Sequence, residues 1–220
     1  MKLDKGDGIW AGVLVLIASF LAVPHGRELF LAATRAHPYF MGFVKVGILA
    51  TMGELLALRI AHGKYRAPVG LHWRSLIWGC FGITFALVFD VFAMGVNGAI
   101  SKGLLPGAGS RLASAFFTSA LMNLAFAPTF MALHRITDTW IELGGGRWKG
   151  MRQVRLAQVA QAIDWYGYLS FVVARTIPLF WIPAHTITFL LPQEYRVLMA
   201  AMLSIVLGAL LSFSRSRKRA

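Results

Sequence analysis

Lys45, Glu54, Asp90, Asn123 and His185 each lie inside a stretch that is otherwise apolar. A charge at the centre of a bilayer costs roughly 2.5–3.5 kcal/mol on insertion scales, against about half a kcal/mol returned by one well-placed leucine. Polar groups in that setting line solute or ion paths, relay protons, or pair to fix helix register. Other chemistry is poorly represented. Asp90, His185 and Glu54 could exchange protons, but no helix carries HExxH and no nucleophile elbow is present. Ser119 and Ser170 have no adjacent activating base. The single cysteine, Cys80, rules out an intrachain disulfide and a thiolate metal cluster. The sequence therefore predicts no catalytic site, no metal and no cofactor: the chain is not read as an enzyme.

The elements that must position these groups are apolar helices. Of the 220 residues, 57% are hydrophobic and only 14% charged, whereas a soluble domain is about 45–50% apolar and about 25% charged. The expected fold is all-α: a single polytopic transmembrane bundle over 1–220 with five or six spanning helices. The spans are placed at 8–24, 38–60, 73–100, 112–134, a crossing over 156–191 broken by Pro178 and Pro183, and 195–213. A charged start before a short apolar run resembles a signal peptide, but no small-x-small cleavage site follows, so the first helix is read as retained. Arg27–His37 reads as an amphipathic interfacial turn, and Pro128 as a kink.

The net charge of +13 would suggest nucleic acid in a soluble protein. Here the basic residues gather in 59–74, 135–155 and the tail Arg215, Arg217, Lys218 and Arg219, which is the pattern of cytoplasmic loops. No nucleic-acid partner is expected, and both termini are placed in the cytoplasm. Small residues (Gly42, Gly47 and Gly53; Gly79, Gly82 and Gly95; Ser114, Ser119 and Ala120) recur on three helices and predict close helix packing.

This topology gives each polar group a depth. Lys45, Asp90 and His185 each lie six residues from an outer span end, about 9 Å at 1.5 Å per residue. With Asn123 they form an expected polar layer, in which Lys45 pairs with Asp90. Glu54 falls near the inner boundary, within reach of Arg59 or Arg175, and these three form an expected inner mouth.

Four passages resemble the Mpv-seventeen/peroxisomal twenty-two-kilodalton membrane protein family. Gly47–Arg59 is similar to the family's glycine-rich helix, with Gly53-Glu54 where the family has Gly-Asp. Arg74 and Gly82 match an Arg…Gly spacing. Met122–Pro128 resembles Asp-Gln-x-x-x-x-Pro, with Asn123 for the glutamine and no aspartate. Trp181-Ile182-Pro183-Ala184-His185 through Phe189, Pro192 and Tyr195-Arg196 resembles the Trp-Pro…Asn-Phe…Val-Pro…Tyr-Arg run. The family's Gly-Pro-x-x-His-x-Trp-Tyr motif is absent from Phe85–Gly95, where Asp90 stands instead. The resemblance implies a divergent, prokaryotic member in the cell (inner) membrane, and a pore for small solutes.

Two functions follow as expectations. One is a pore or permease whose polar layer lines a narrow path, with small solutes and membrane lipids as partners and a homo-oligomer compatible with it. The other is a structural, assembly or lipid-binding protein without transport. The first expects a hydrated cavity touching Asp90 or Glu54; the second expects a dry bundle whose polar groups satisfy one another.

Overall fold

Prolines, glycines and capping side chains cut this chain into its helices. The computed structural model describes residues 4–217, with side chains as far as 209. The side chains of the basic tail lie outside the described residues.

Helix α1 (Lys5–Ala22) opens with a capping box: the Asp4 carboxylate accepts from the Gly6 N–H, and the Asp7 carboxylate accepts from the Asp4 N–H. Pro24 starts α2 (Pro24–Ala36) and Pro38 starts α3 (Pro38–His62), each at a position whose N–H would be unpaired anyway. Gly63 closes α3 in the left-handed conformation at φ 75°. Helix α4 spans Leu71–Ser101. Ser110 caps α5 (Arg111–Ala125), and α6 (Ala127–Leu143) follows after a bend of 46°. The short helices α7 (Trp148–Met151), α8 (Leu156–Ala162) and α9 (Trp165–Gly167) lead into a π-helical run, Tyr168–Trp181, that continues as α10 (Ile182–Leu190). Helix α11 covers Gln193–Arg217. Among the described residues there is no strand.

Among the described residues, four helical stretches are long and apolar enough to cross a membrane: Lys5–Ala22, Pro38–His62, Leu71–Ser101 and the continuous Trp165–Leu190. The bent pair α5–α6 makes up to five. Three expected boundaries differ. The helix placed at 112–134 is two helices, because the chain turns at Phe126 ahead of Pro128. The expected loop 135–155 is helical as far as Leu143, where Gly144, Gly145 and Gly146 finally stop it. The crossing placed at 156–191 starts at Trp165, with α8 a separate turn before it. Its π-bonded run holds Pro178, whose missing N–H a π-bonded ladder accommodates.

Helix α3 is the hub: α4 packs along one side of it and α11 along another. At the α3–α4 crossing Gly42 and Gly82 are so close that a Cβ on either would collide with the other's carbonyl. About three turns further along α3, Gly53 lies against the backbone of Ile205. Close backbone approach of this kind supplies dispersion contact between the helices. Val46, Leu49, Phe89, Met122, Phe189 and Ala201 fill the centre.

The polar contacts gather at two ends. At one end Asp7 of α1 meets Arg59 of α3, and Arg74 of α4 meets Glu54 of α3 and Asp138 of α6. At the other, Asn97 of α4 meets Ser114 of α5, and the start of α11 meets α2, α3 and α4.

Candidate functional site

Arg74 organises the first end. Its side chain is 4% exposed, and its guanidinium reaches three carboxylates: Glu54 Oε1 at 2.7 Å, Asp138 Oδ1 at 3.0 Å and Glu142 Oε1 at 2.8 Å. Its Nε donates to the Val69 carbonyl at 3.1 Å. His134, Asp138 and Glu142 stand four residues apart on one face of α6. That spacing was readable in the sequence, but it fell where a loop was expected. Three carboxylates thus share one guanidinium, and His134 Nδ1 lies 3.5 Å from Asp138 Oδ2.

A cavity of about 290 Å³ runs from this cluster into the bundle. Glu54, His134 and Asp138 line its ionic end, and Asn123 and His185 line it further along. Between them the walls are aromatic, with Trp78, Phe85, Phe89, Phe126, Phe130 and Trp181. Many of these rings meet edge to face, such as Phe85–Phe130 at 4.8 Å and Trp78–His134 at 4.4 Å, the geometry their quadrupoles favour. Trp181 stacks on His185 at 5.1 Å. Asn123 Nδ2 donates to the Ser119 carbonyl at 2.9 Å and lies 3.0 Å from His185 Nδ1.

Four buried side-chain atoms have no hydrogen-bond partner among the described residues: Glu54 Oε2, Trp78 Nε1, Trp181 Nε1 and His134 Nδ1, the last facing Asp138 Oδ2 at 3.5 Å. All four belong to residues that line this cavity. Leaving such an atom unpaired costs roughly 1–3 kcal/mol.

The expected polar layer comes together only in part. Asn123 and His185 meet. Lys45 does not pair with Asp90: its Nζ lies 3.2 Å from Thr34 Oγ1, 3.3 Å from the Glu194 carbonyl and 4.7 Å from the centre of the Phe30 ring. Asp90 accepts from Gln193 Nε2 at 2.8 Å. The two charges therefore end on neighbouring residues of the α11 start. A residue count gives height along a helix but not the direction a side chain faces around it, and here the directions differ.

The expected inner mouth is also corrected. Glu54 pairs with Arg74 rather than with Arg59 or Arg175. Arg59, 1% exposed, is held by Asp7 through Nε at 2.9 Å and Nη2 at 2.7 Å, and Nη1 donates to the Gly63 carbonyl. Arg175 is exposed on the π-helical run.

Outside the spans, burial and then the Asp7 carboxylate raise the Tyr65 phenol above its usual range. Glu194, just ahead of the last expected span, is held below the carboxylate range by its own backbone N–H and then by Arg35, whose Nε lies 2.6 Å away. No group of three or more His, Cys, Asp or Glu is placed to hold a metal among the described residues. No known family model matches the chain, and neither does any curated protein or solved structure.

Proposed function

We propose that this chain is an integral membrane protein that passes small solutes through the bundle, using the cavity between the Arg74 cluster and the Asn123–His185 pair. The observation that carries this reading is the set of unpaired polar atoms around one cavity with ionisable groups at both ends. A bundle built only for structure would pair those atoms with one another. The long apolar helices support membrane insertion, and the sequence resemblance to the Mpv-seventeen family points to the same class of function. A cell membrane with both termini cytoplasmic fits the positions of the basic loops.

The cavity touches Glu54, one of the two residues expected to mark such a path; Asp90 does not line it. In this reading Glu54, His134 and Asp138 receive a solute at one end, and His185 with Asn123 holds the next station. Lys45 and Arg59 are structural ties, since each is covered by partners away from the cavity.

The test is solute flux into liposomes carrying the purified protein, wild type beside Glu54→Gln and Lys45→Met. Transport through this cavity expects flux in wild type, a changed rate in Glu54→Gln and an unchanged rate in Lys45→Met. Absence of flux from folded wild-type protein refutes the proposal and leaves the structural or lipid-binding reading.

A further inference from the structure

The cavity walls hold acids and rings but no lysine or arginine. Glu54 and Asp138 are the charged groups on its surface, and Arg74 stands behind them, outside the lining. Arg135, on the same helix as Asp138, is exposed and does not line the cavity. Glu54 Oε2 is unpaired, and it can accept a hydrogen bond but cannot donate one as a carboxylate. The acidic cluster does not stand alone. His185, 8% exposed, also lines the cavity, and its Nδ1 is taken by Asn123, leaving Nε2 without a hydrogen bond among the described residues.

From this arrangement we propose that the cavity binds small organic ammonium ions with an apolar body, and that these are the solute class of the transport proposed above, on which this inference rests. The ammonium sits at Glu54 Oε2 and Asp138, and the apolar body lies among Trp78, Phe85, Phe126 and Phe130. Charge complementarity selects the sign: three carboxyl groups share one guanidinium and no lysine or arginine lines the cavity, so a cation is favoured over an anion of the same size. Ring faces add attraction for a cation held within about 6 Å. Size selects the class: a 150 Å³ cavity takes benzene, so about 290 Å³ holds a single ring with a short charged chain and leaves room for water. A bare metal cation is a poor match, since it would trade its hydration shell for aromatic walls and two carboxylates already engaged with Arg74.

A matched set of probes tests this: 2-phenylethylammonium, neutral 2-phenylethanol and anionic phenylacetate. Binding is measured by calorimetry on the detergent-solubilised protein, with flux of the same probes measured in liposomes. The expected order is ammonium first, alcohol second, and phenylacetate undetected. Glu54→Gln weakens ammonium binding by roughly 10–100-fold, the value of a charged hydrogen bond, and leaves the alcohol unchanged. Ser204→Leu fills the cavity from α11 without touching the charges and weakens ammonium and alcohol alike. Phenylacetate binding as tightly as the ammonium, or folded Glu54→Gln binding the ammonium as wild type does, overturns the inference. Binding decides the site and flux decides the transport. Flux of solutes without ammonium preference overturns this inference alone, while ammonium binding with no flux overturns the transport reading.

Discussion

Replacing Arg74 with methionine keeps most of the side chain's length and removes its charge. The cost can be worked from its partners. Glu142 is 62% exposed, so its pair contributes about 0–1 kcal/mol. Glu54 and Asp138 are mostly covered, at 21% and 25%, and removal leaves both carboxylates facing the same space without a cation. Breaking a buried ion pair from one side costs about 3–5 kcal/mol. Arg74→Met should therefore lower stability by about 3–5 kcal/mol, and most of that loss is the penalty of stranded carboxylates. Removing Glu54's charge as well should recover part of it, so the Arg74→Met/Glu54→Gln double variant should be more stable than the sum of the two changes predicts, by about 1–3 kcal/mol. The assay is reversible denaturant unfolding in mixed micelles, followed by tryptophan fluorescence. A coupling below about 0.5 kcal/mol, the range of independent sites, refutes the reasoning that Arg74 compensates Glu54.

Other expectations can be checked alongside. Gly82→Leu places a side chain against the Gly42 carbonyl, so α3 and α4 must separate, with a loss of several kcal/mol or failure to accumulate in membranes; Gly98→Leu, where a Cβ meets nothing within 4 Å, is the tolerated control. Cys80 is exposed on α4, nine residues past Leu71 or about 14 Å along the axis, so in liposomes it should resist a charged maleimide and react once the protein is denatured. Asp90→Asn keeps an acceptor for Gln193 and strands no lysine, so the stability change should stay within about 0.5 kcal/mol. Glu194 is depressed in the folded state, so its contribution is complete above the unfolded value of about 4.5 and fades as pH falls toward the lower folded value; the melting difference between wild type and Glu194→Gln should shrink as the pH is lowered below about 4.5.

The apolar helices were legible because composition and length decide them, and four of the long ones stand near where the sequence placed them. The partners of the charges were not legible. Lys45 and Asp90 share a level, as the residue count required, yet each turns to a different residue at the start of α11. Arg59 found Asp7, fifty-two positions away, in a lead-in that looked merely polar. The Arg74 cluster was hidden for another reason. Its acids lie on α6 beyond His134, where a basic, glycine-flanked stretch looked like a loop, although the four-residue spacing of His134, Asp138 and Glu142 was present. Glu54 was singled out by its cost in an apolar helix, and that same cost explains its pairing with Arg74.

The hub position of α3 has a consequence for synthesis. One side of this helix is covered by α4, which follows it directly, but the other waits for α11, and the carbonyl that receives Lys45 belongs to a residue 149 positions later. At translation rates of 5–20 residues per second, that is a gap of roughly 7–30 s. Throughout it, nascent α3 has Thr34 and Phe30 of α2 beside Lys45 but lacks the Glu194 carbonyl, and its Gly53 face lacks the Ile205 backbone that finally covers it. The ribosome-bound chain thus has a built-in vulnerable period, and a helix-shielding insertase would have its work on this one segment until the last helix emerges.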